Sequence, residues 1–338
     1  MENHFHLCPV SDYYERILLP VTYSIVFVLG LSLNGALLWS VCWRTRSWSG
    51  TVVYLTNLAV ADLLYVLALP PLIISNSMGD AWPFGNIICK AVRFFFLTNL
   101  HCSMMFLTCV SVYRFLGVCF PIAALRLRTK KLAIFASGSV WVLATAEILP
   151  TLVFAHTGFI NNMTVCFEMT DPRQFNIYFP YGMFLTTVGF LVPFLVIVIC
   201  YSSMIKVLYF RAAEGITNAR TKKMRNKSLR TLLLVCLLFV LCFVPYHIAR
   251  TVYLVVRVYM VGDCHLLNVV MISFKVWKPL VSLNCCANPL LYFWGSDHYR
   301  KKIHACLCRR TKRVHPAVCL DLLKKKVHVL LVLQLKTE

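Results

Sequence analysis

Seven long apolar stretches alternate with short polar links along this chain. As a helix rising about 1.5 Å per residue, each is long enough to cross a hydrocarbon core of about 30 Å. Only helices and closed barrels can span lipid, and these stretches are too long for barrel strands. The pattern therefore predicts an all-α membrane protein, a bundle of seven transmembrane helices. The predicted spans are residues 19–43, 52–78, 89–121, 132–154, 177–209, 231–257 and 266–294.

The regions around the spans complete the predicted organisation. An N-terminal segment, the seven-helix domain, a short amphipathic eighth helix and a tail are expected at residues 1–18, 19–294, 295–310 and 311–338. The eighth helix mixes basic and apolar residues, as is typical of a helix that lies on a membrane surface. Cys306 and Cys308 are candidates for palmitoylation there, with unmodified thiols as the alternative.

The distribution of charge predicts how the bundle is oriented. Of 34 Lys and Arg residues, most fall in the first, third and fifth links and in the tail. By the positive-inside rule these regions face the cytoplasm, and the N-terminus lies outside the cell. The glycosylation signal at Asn162 then falls in an outer link, as glycan attachment requires. We therefore expect a multi-pass plasma-membrane glycoprotein with a cytoplasmic C-terminus.

The composition excludes several other classes of protein. With 59% hydrophobic and 14% charged residues, the chain is no ordinary soluble domain. The net charge of +21 is explained by topology rather than by nucleic-acid binding, because the basic residues lie in links and in the tail. The sequence has no glycine-rich phosphate loop and no His-Glu-x-x-His motif. We therefore expect neither an enzyme nor a cofactor.

Five polar side chains fall inside the apolar spans: Asn34, Asp62, Ser103, Asn284 and Asn288. Polar groups at such depth normally face the bundle interior and pair with one another. A carboxylate there must be protonated, paired or bound to a cation. We expect a cluster around Asp62 that admits sodium, although Asn34 alone is explained as well by a contact between helices.

Cationic side chains gather near the outer ends of three helices. His247 and Arg250 are three residues apart and share one face of the sixth helix, as Lys275 and Lys278 do on the seventh. Arg93 lies one turn inside the third helix. If these faces point inward, the like charges repel one another. A bound di- or triphosphate relieves that repulsion through charge-assisted hydrogen bonds.

The surroundings of these cations favour an anionic ligand. Tyr253 offers apolar surface for a base. The nearest acids all fall in links, at Asp80, Glu168, Asp171 and Asp263, so we expect too little negative charge to neutralise the cations. Two alternatives remain open. Either the cations extend to lipid headgroups, or the ligand is another anion such as a dicarboxylate or an acidic lipid.

The order of several motifs resembles the rhodopsin-like G-protein-coupled receptors. They are Asn34, LAVADLL, Cys89 with Cys166, VYR, Trp141, CFVPYH and NPLLY. CFVPYHIAR, SFKVWKPLVSLN and the stretch 89–121 look like the metabotropic purine and pyrimidine nucleotide receptors, and FPYG leans toward the uridine-nucleotide branch. The resemblance implies an extracellular nucleotide as ligand and a heterotrimeric G protein as partner, with signalling through phospholipase C and calcium.

The resemblance also implies two disulfides and a set of switch residues. Cys89 is expected to pair with Cys166, and Cys8 with Cys264. Arg114 is expected to face the G protein. The other implied switch residues are Tyr113, Tyr201, Phe243, Pro245, Asn288, Pro289 and Tyr292.

Four positions depart from the pattern of these receptors, and one of them is Leu97, which stands where an aromatic residue that could stack on the ligand is often found. Tyr113 stands where an acid usually precedes the inner arginine, and Phe243 stands where tryptophan is more common. Lys278 replaces an arginine found in many nucleotide receptors, and lysine cannot form a bidentate fork. These departures leave open a receptor-like protein without an agonist. A transporter is a further class, but the chain shows no pair of related halves.

Overall fold

The computed structural model describes residues 15–44, 48–160, 163–171, 174–213, 236–237, 239–260 and 263–295. Within these residues, seven helical segments are long and apolar enough to cross a membrane. The prediction of a seven-helix bundle is thereby confirmed. The observed spans begin and end within four residues of the predicted ones, except at the start of the sixth span, where the predicted residue 231 lies outside the described residues. The chain divides into two compact units, Met1–Leu291 and Tyr292–Glu338, and the first contains the bundle.

Several spans contain more than one helix. The first four spans are built from α1 (Glu15–Arg44), α2 (Gly50–Leu67) with α3 (Leu69–Ser77), α4 (Gly85–Cys119), and α6 (Lys130–Ile148) with α7 (Thr151–Phe154). A short helix, α5 (Pro121–Leu127), fills the third link. The last three spans contain α8 (Phe175–Thr186) with α9 (Val192–Ala213), then α10 (Val244–Tyr259), and α11 (Cys264–Ser282) with α12 (Asn284–Gly295).

Prolines account for the irregular turns within the spans. The fifth and sixth spans contain π-helical segments at Thr187–Leu191 and Phe239–Phe243, and each is followed by a Val-Pro pair with Pro193 or Pro245. A proline lacks an N–H, and its ring crowds the carbonyl four residues earlier. A wider turn before the proline accommodates both effects, so the sequence anticipates where these helices deviate. Pro70 similarly follows the break between α2 and α3.

A β-hairpin in the fourth link covers one end of the bundle. Strands β1 (Thr157–Ile160) and β2 (Met163–Cys166) pair antiparallel, with Thr157 opposite Cys166. The backbone N–H of Trp82 donates to the Thr164 carbonyl at 2.8 Å, which connects the second link to the hairpin. A disulfide joins Cys166 to Cys89 near the start of α4, with Cα atoms 5.6 Å apart. This confirms the expected Cys89–Cys166 bridge, whereas the hairpin itself was not predicted.

The long helix α4 packs against α2, α6 and α9, so it runs through the middle of the bundle. Its position explains why residues along most of its length are buried. Several predicted features lie outside the described residues and remain predictions: the eighth helix at 295–310, its cysteines Cys306 and Cys308, the Asn162 sequon and the Cys8 end of the bridge to Cys264.

Candidate ligand-binding site

A small cavity opens beneath the β-hairpin, between α4, α8, α10 and α11. Three of the predicted cations, on three different helices, face it. Its volume is about 20 Å³, enough for one water molecule and far below the several hundred Å³ typical of ligand sites. The lining residues are Arg93, Phe96, Leu97, Glu168, Met169, Tyr178, Tyr246, Arg250, Phe274 and Lys278. The structure therefore shows the site in a contracted form.

Arg93 is held under the hairpin by main-chain carbonyls. It lies one turn beyond Cys89 on α4, and it donates from Nη2 to the Cys166 carbonyl at 2.9 Å and from Nε to the Phe167 carbonyl at 3.1 Å. The disulfide fixes Cys166 beside α4, so the same bond that anchors the hairpin also positions the arginine. Both hydrogen-bond partners of its guanidinium are neutral main-chain carbonyls.

Arg250 is buried between α10 and α8. Its Nη2 donates to the Tyr178 hydroxyl at 3.0 Å, and its Nη1 donates to Thr186 Oγ1 at 3.1 Å and to the Gly182 carbonyl at 3.3 Å. These three partners are neutral. A fully buried guanidinium held by dipoles alone keeps most of its attraction for an incoming anion.

Lys278 forms an ion pair with Glu168, an acid that was expected to lie apart in the fourth link. Burial favours the neutral acid, but the charges of Lys278 and Arg93 outweigh it and lower the pKa of Glu168. The two cations therefore favour the ionised form of this carboxylate. The expectation that the acids are too remote to neutralise the cations is thus corrected at this position. Arg93, Arg250 and Lys278 still outnumber the acid among the lining residues.

The sequence does contain a feature that indicates where Glu168 lies, namely its position two residues after Cys166. Because Cys166 is fixed to α4, the second residue after it must lie over the same helix end. Asp80 lies in the second link, where burial raises its pKa and the charge of Lys275 opposes that shift. An acidic residue therefore lies both in the cavity and near Lys275.

Three other predicted ligand residues do not line the cavity as it stands. Lys275 lies elsewhere on α11. Tyr253 stacks on Phe274, with ring centroids 5.5 Å apart, and so supports the cavity wall from behind. His247 lies one turn deeper than Arg250, is buried, and has no hydrogen-bond partner on either ring nitrogen among the described residues. Its ring stacks on Phe190 at 4.2 Å instead.

An aromatic cluster lies below the cavity, where the two π-helical segments meet. Phe190 stacks on Phe239 at 6.3 Å, Phe194 stacks on Phe239 at 5.9 Å, and Phe239 contacts Phe243 at 5.1 Å. His247 completes the cluster through its contact with Phe190. Arg250 is thus linked through one helical turn to the irregular segments of the fifth and sixth spans and to Pro245, one of the implied switch residues.

Four of the five polar residues predicted around Asp62, all except Ser103, belong to a hydrogen-bonded network. Asn288 Nδ2 donates to both Asp62 oxygens, at 3.1 and 3.3 Å, and Asn99 Nδ2 donates to Oδ1 at 2.7 Å. The Cys285 thiol joins Asn99 to Asn284, at 3.4 and 3.2 Å. Asn99 and Cys285 were not predicted members, since neither residue type by itself marks a buried cluster.

Three of the residues predicted for the Asp62 cluster have a buried oxygen without a donor among the described residues. Asn34 Nδ2 donates to the Cys285 carbonyl at 2.8 Å, which brings Asn34 to the same place. The amide oxygens of Asn34 and Asn288 and the Ser103 hydroxyl have no hydrogen-bond partner within the described part of the chain. A carboxylate accompanied by unpartnered oxygens is a donor set suited to a hard cation such as sodium.

The predicted switch residues at the far end of α4 are packed without an acid at position 113. Arg128 from the third link places its guanidinium 4.2 Å from the centroid of the Tyr113 ring, which also meets Tyr54 edge-on. The Arg114 Nε is buried and unpartnered among the described residues. Ser111 Oγ lies 2.8 Å from the Tyr201 hydroxyl, so Tyr201 already faces α4. Pro289 lies inside α12, and the side chain of Tyr292 is outside the described part.

Comparison with known proteins agrees with this architecture. The model of the 7 transmembrane receptor (rhodopsin family) matches residues 33–292. Among Y-type purinoceptors, purinoceptor 3 of Gallus gallus is 37% identical over 315 residues, covering 93% of this chain and 95% of that protein. Purinoceptor 4 of Homo sapiens is 40% identical, covering 88% of this chain and 80% of its own length. Purinoceptor 6 of Rattus norvegicus is 39% identical, covering 90% and 93%.

These matches extend over the seven spans and the cavity beneath the hairpin. The chain belongs to the rhodopsin family of seven-transmembrane receptors and, within it, to the Y-type purinoceptors. It is a multi-pass membrane receptor rather than an enzyme or a transporter, as the sequence led us to expect.

Proposed function

We propose that this protein is a plasma-membrane receptor for an extracellular nucleotide, a nucleoside di- or triphosphate, that signals through heterotrimeric G proteins. The observation that carries the proposal is the meeting of Arg93, Arg250 and Lys278 around one cavity, with neutral partners on both arginines. The similarity to the Y-type purinoceptors supports a nucleotide over a dicarboxylate or an acidic lipid. Phe96, Tyr178 and Tyr246 offer aromatic surface for the base.

The orientation follows from charge. The hairpin end of the bundle faces the extracellular side, and the basic links face the cytoplasm. The Cys89–Cys166 disulfide lies at the hairpin end, where the oxidising environment preserves it. The cavity then opens toward the extracellular space.

Ligand binding must enlarge the contracted cavity. Glu168 and Met169 follow the disulfide and lie over its mouth, so an incoming phosphate chain competes with Glu168 for Lys278. Arg250 must likewise exchange at least one bond to α8 for a phosphate oxygen. Charge-assisted bonds to phosphate are stronger than bonds to the neutral groups that they replace, which favours the exchange.

The aromatic cluster offers a route from the ligand to the cytoplasmic end. A pull on Arg250 moves α10, and His247 on the same helix bears on Phe190. We infer that the sixth span pivots where Phe243 precedes Pro245 and moves its cytoplasmic end away from Arg114. The groove opened in this way accepts a helix of the G-protein α-subunit. A ligand can shift a receptor between two states only if it binds them with unequal affinity. The nucleotide phosphates must therefore bind the state with the pivoted sixth span more tightly than the resting state.

Sodium is expected to oppose this transition through the Asp62 network. In the wild-type receptor, raising the sodium concentration at constant ionic strength should weaken agonist binding several-fold, by an allosteric coupling of the usual size. Asp62→Asn preserves the shape of the side chain but removes its charge, so its agonist affinity should not respond to sodium. Radioligand competition in membranes measures both. An equal sodium effect in the two proteins would contradict this site.

The proposed function is tested by calcium and cAMP signalling in cells that express the receptor. ADP, ATP, UDP, UTP and UDP-sugars are applied in turn, beside succinate and lysophosphatidic acid as non-nucleotide anions. We expect a concentration-dependent response to at least one nucleotide and none in cells lacking the receptor. A response to succinate or lysophosphatidic acid alone would refute a nucleotide as the ligand.

A further inference from the structure

A histidine and an aspartate meet at the base of the β-hairpin, on the surface of the fourth link. His156 comes directly before β1, and Asp171 lies in the segment that follows β2. His156 Nε2 and Asp171 Oδ2 lie 4.0 Å apart, and the two side chains are 26% and 30% exposed. Neither residue lines the candidate ligand-binding cavity. The two side chains therefore form a separate feature, which we call the His156–Asp171 site.

The ring of His156 is held in one orientation. Its Nδ1 lies 2.8 Å from the Phe154 carbonyl oxygen, which can only accept a hydrogen bond, so Nδ1 must carry the hydrogen. In the neutral imidazole the other nitrogen, Nε2, then carries the lone pair, and this nitrogen faces Asp171. Histidines that bind a metal through one nitrogen usually donate the other N–H to a carbonyl or a carboxylate in the same way. His156 is therefore oriented as a metal ligand.

Neighbouring groups fix the position of His156. The Phe167 ring meets the His156 ring edge-on, with centroids 5.4 Å apart, and the Phe167 backbone N–H donates to the His156 carbonyl at 3.1 Å. Phe167 follows Cys166, which the disulfide joins to α4. A ligand that is already held in place loses little freedom when an ion binds to it.

The spacing of the two side chains suits one shared ion. Zinc binds imidazole nitrogen and carboxylate oxygen at about 2.0–2.2 Å, so two ligands of one tetrahedral ion lie about 3.4 Å apart. From the observed 4.0 Å, an approach of about 0.6 Å is enough to reach that spacing. The observed distance is too long for a hydrogen bond, and an ion pair at such exposed positions contributes little by itself. A shared ion therefore explains the arrangement better than direct pairing does.

The chemistry of the two ligands selects the kind of ion. Imidazole nitrogen suits zinc, whereas calcium and magnesium prefer an all-oxygen set. The partial exposure of both side chains leaves the other coordination positions accessible to water.

We propose that His156 and Asp171 bind a zinc ion on the extracellular side of the receptor, with water completing its coordination. In the orientation proposed above, the hairpin end of the bundle faces the extracellular space. The ion connects the residue before β1 to the segment after β2, and this segment also contains Glu168. Bound zinc thus stabilises the fourth link over the cavity. The site involves no nucleotide, and its test needs no agonist.

The test follows the thermal unfolding of the purified full-length receptor in neutral detergent, titrated with ZnCl2 or CaCl2. A ligand that binds only the folded state raises the unfolding temperature. ZnCl2 should raise it saturably and EDTA should reverse the rise, whereas CaCl2 should have no such effect. His156→Gln and Asp171→Asn should each raise the half-maximal ZnCl2 concentration at least about tenfold, since even outer-shell partners of a metal are worth that much. His265→Gln, a change at an exposed histidine near the start of α11, is the matched control and should behave as wild type.

Hydrogen exchange locates the site without any substitution. Zinc should slow amide exchange in wild-type peptides that contain His156 and residues 167–171, and this measurement decides the proposal even where a variant does not fold. Slowed exchange confined to other regions would overturn the proposal. Equal losses in His156→Gln and His265→Gln would also overturn it, because zinc would then bind surface histidines without preference. So would an equal effect of CaCl2, since the ion would then be bound by oxygen alone.

Discussion

Replacing Arg250 and Lys278 together with alanine is expected to abolish the response to the agonist nucleotide, and Arg250→Ala alone should raise the half-maximal concentration at least about 30-fold. Removing one member of a buried charge contact costs roughly 2–5 kcal/mol or more, which corresponds to losses of this size. Arg250 is buried, lines the cavity and is held by three neutral partners, so phosphate can bind it without first breaking an ion pair of Arg250 itself. Concentration–response curves, corrected for surface expression, give the measurement.

Matched substitutions separate this effect from a general loss of charge. Arg250→Lys keeps the charge but loses the fork that reaches Tyr178 and Thr186, so its loss should be smaller than that of Arg250→Ala. Lys275→Ala removes a cation from the same helix as Lys278, at a position that does not line the cavity. Its potency should stay within about fivefold of wild type, as expected for a screened charge near the surface. A wild-type response in the Arg250→Ala, Lys278→Ala double variant would disprove the phosphate site.

Loss of the Cys89–Cys166 bridge is expected to have an effect of similar size by a different route. The bridge fixes the carbonyls that bind Arg93, and it places Glu168 over the cavity. The double variant Cys89→Ser, Cys166→Ser leaves no unpaired partner thiol from this bridge, and it should lose most surface expression and nearly all agonist response. Removing a native disulfide typically costs about 2–5 kcal/mol.

The control for the disulfide is a free cysteine of the same helix. Cys109→Ser makes the same chemical change on α4 at a half-buried, unbridged residue, and it should retain expression and potency. The residual surface receptor of the double variant should bind nucleotide at least about tenfold more weakly than wild type, since a displacement of about 1 Å in a positioned group is worth that much or more. Normal potency in that residual fraction would show that the bridge supports folding alone.

The spans could be predicted from sequence because the hydrocarbon core requires apolar side chains over a fixed length of helix. The length of each apolar stretch and the placement of lysine and arginine between the stretches suffice to locate the spans. The break before Pro70 and the deviations before Pro193 and Pro245 were equally accessible, because proline acts on its own helix. The convergence of Arg93, Arg250 and Lys278 followed from helical spacing together with the order of the spans.

The remaining features depend on contacts between distant segments. Glu168 pairs with Lys278 because the disulfide and the β-hairpin hold the fourth link over the bundle. The positions of the acidic residues in the sequence do not reveal this contact. The stack of His247 on Phe190 requires the π-helical turn of the fifth span to face α10. Tyr253 stacks on Phe274 and does not line the cavity. This orientation depends on packing within the bundle, and helical spacing alone does not predict it.

The most direct test of the central claim is the thermal unfolding of the purified receptor with matched phosphorylated and unphosphorylated ligands. UDP, UTP, ADP and ATP are compared with uridine and adenosine, and with succinate. A ligand that binds only the folded state raises the unfolding temperature. We predict that at least one nucleoside di- or triphosphate raises it, that the corresponding nucleoside does not, and that the rise disappears in the Arg250→Ala, Lys278→Ala variant. Stabilisation by the nucleoside equal to that by its phosphates, or by succinate alone, would contradict the account.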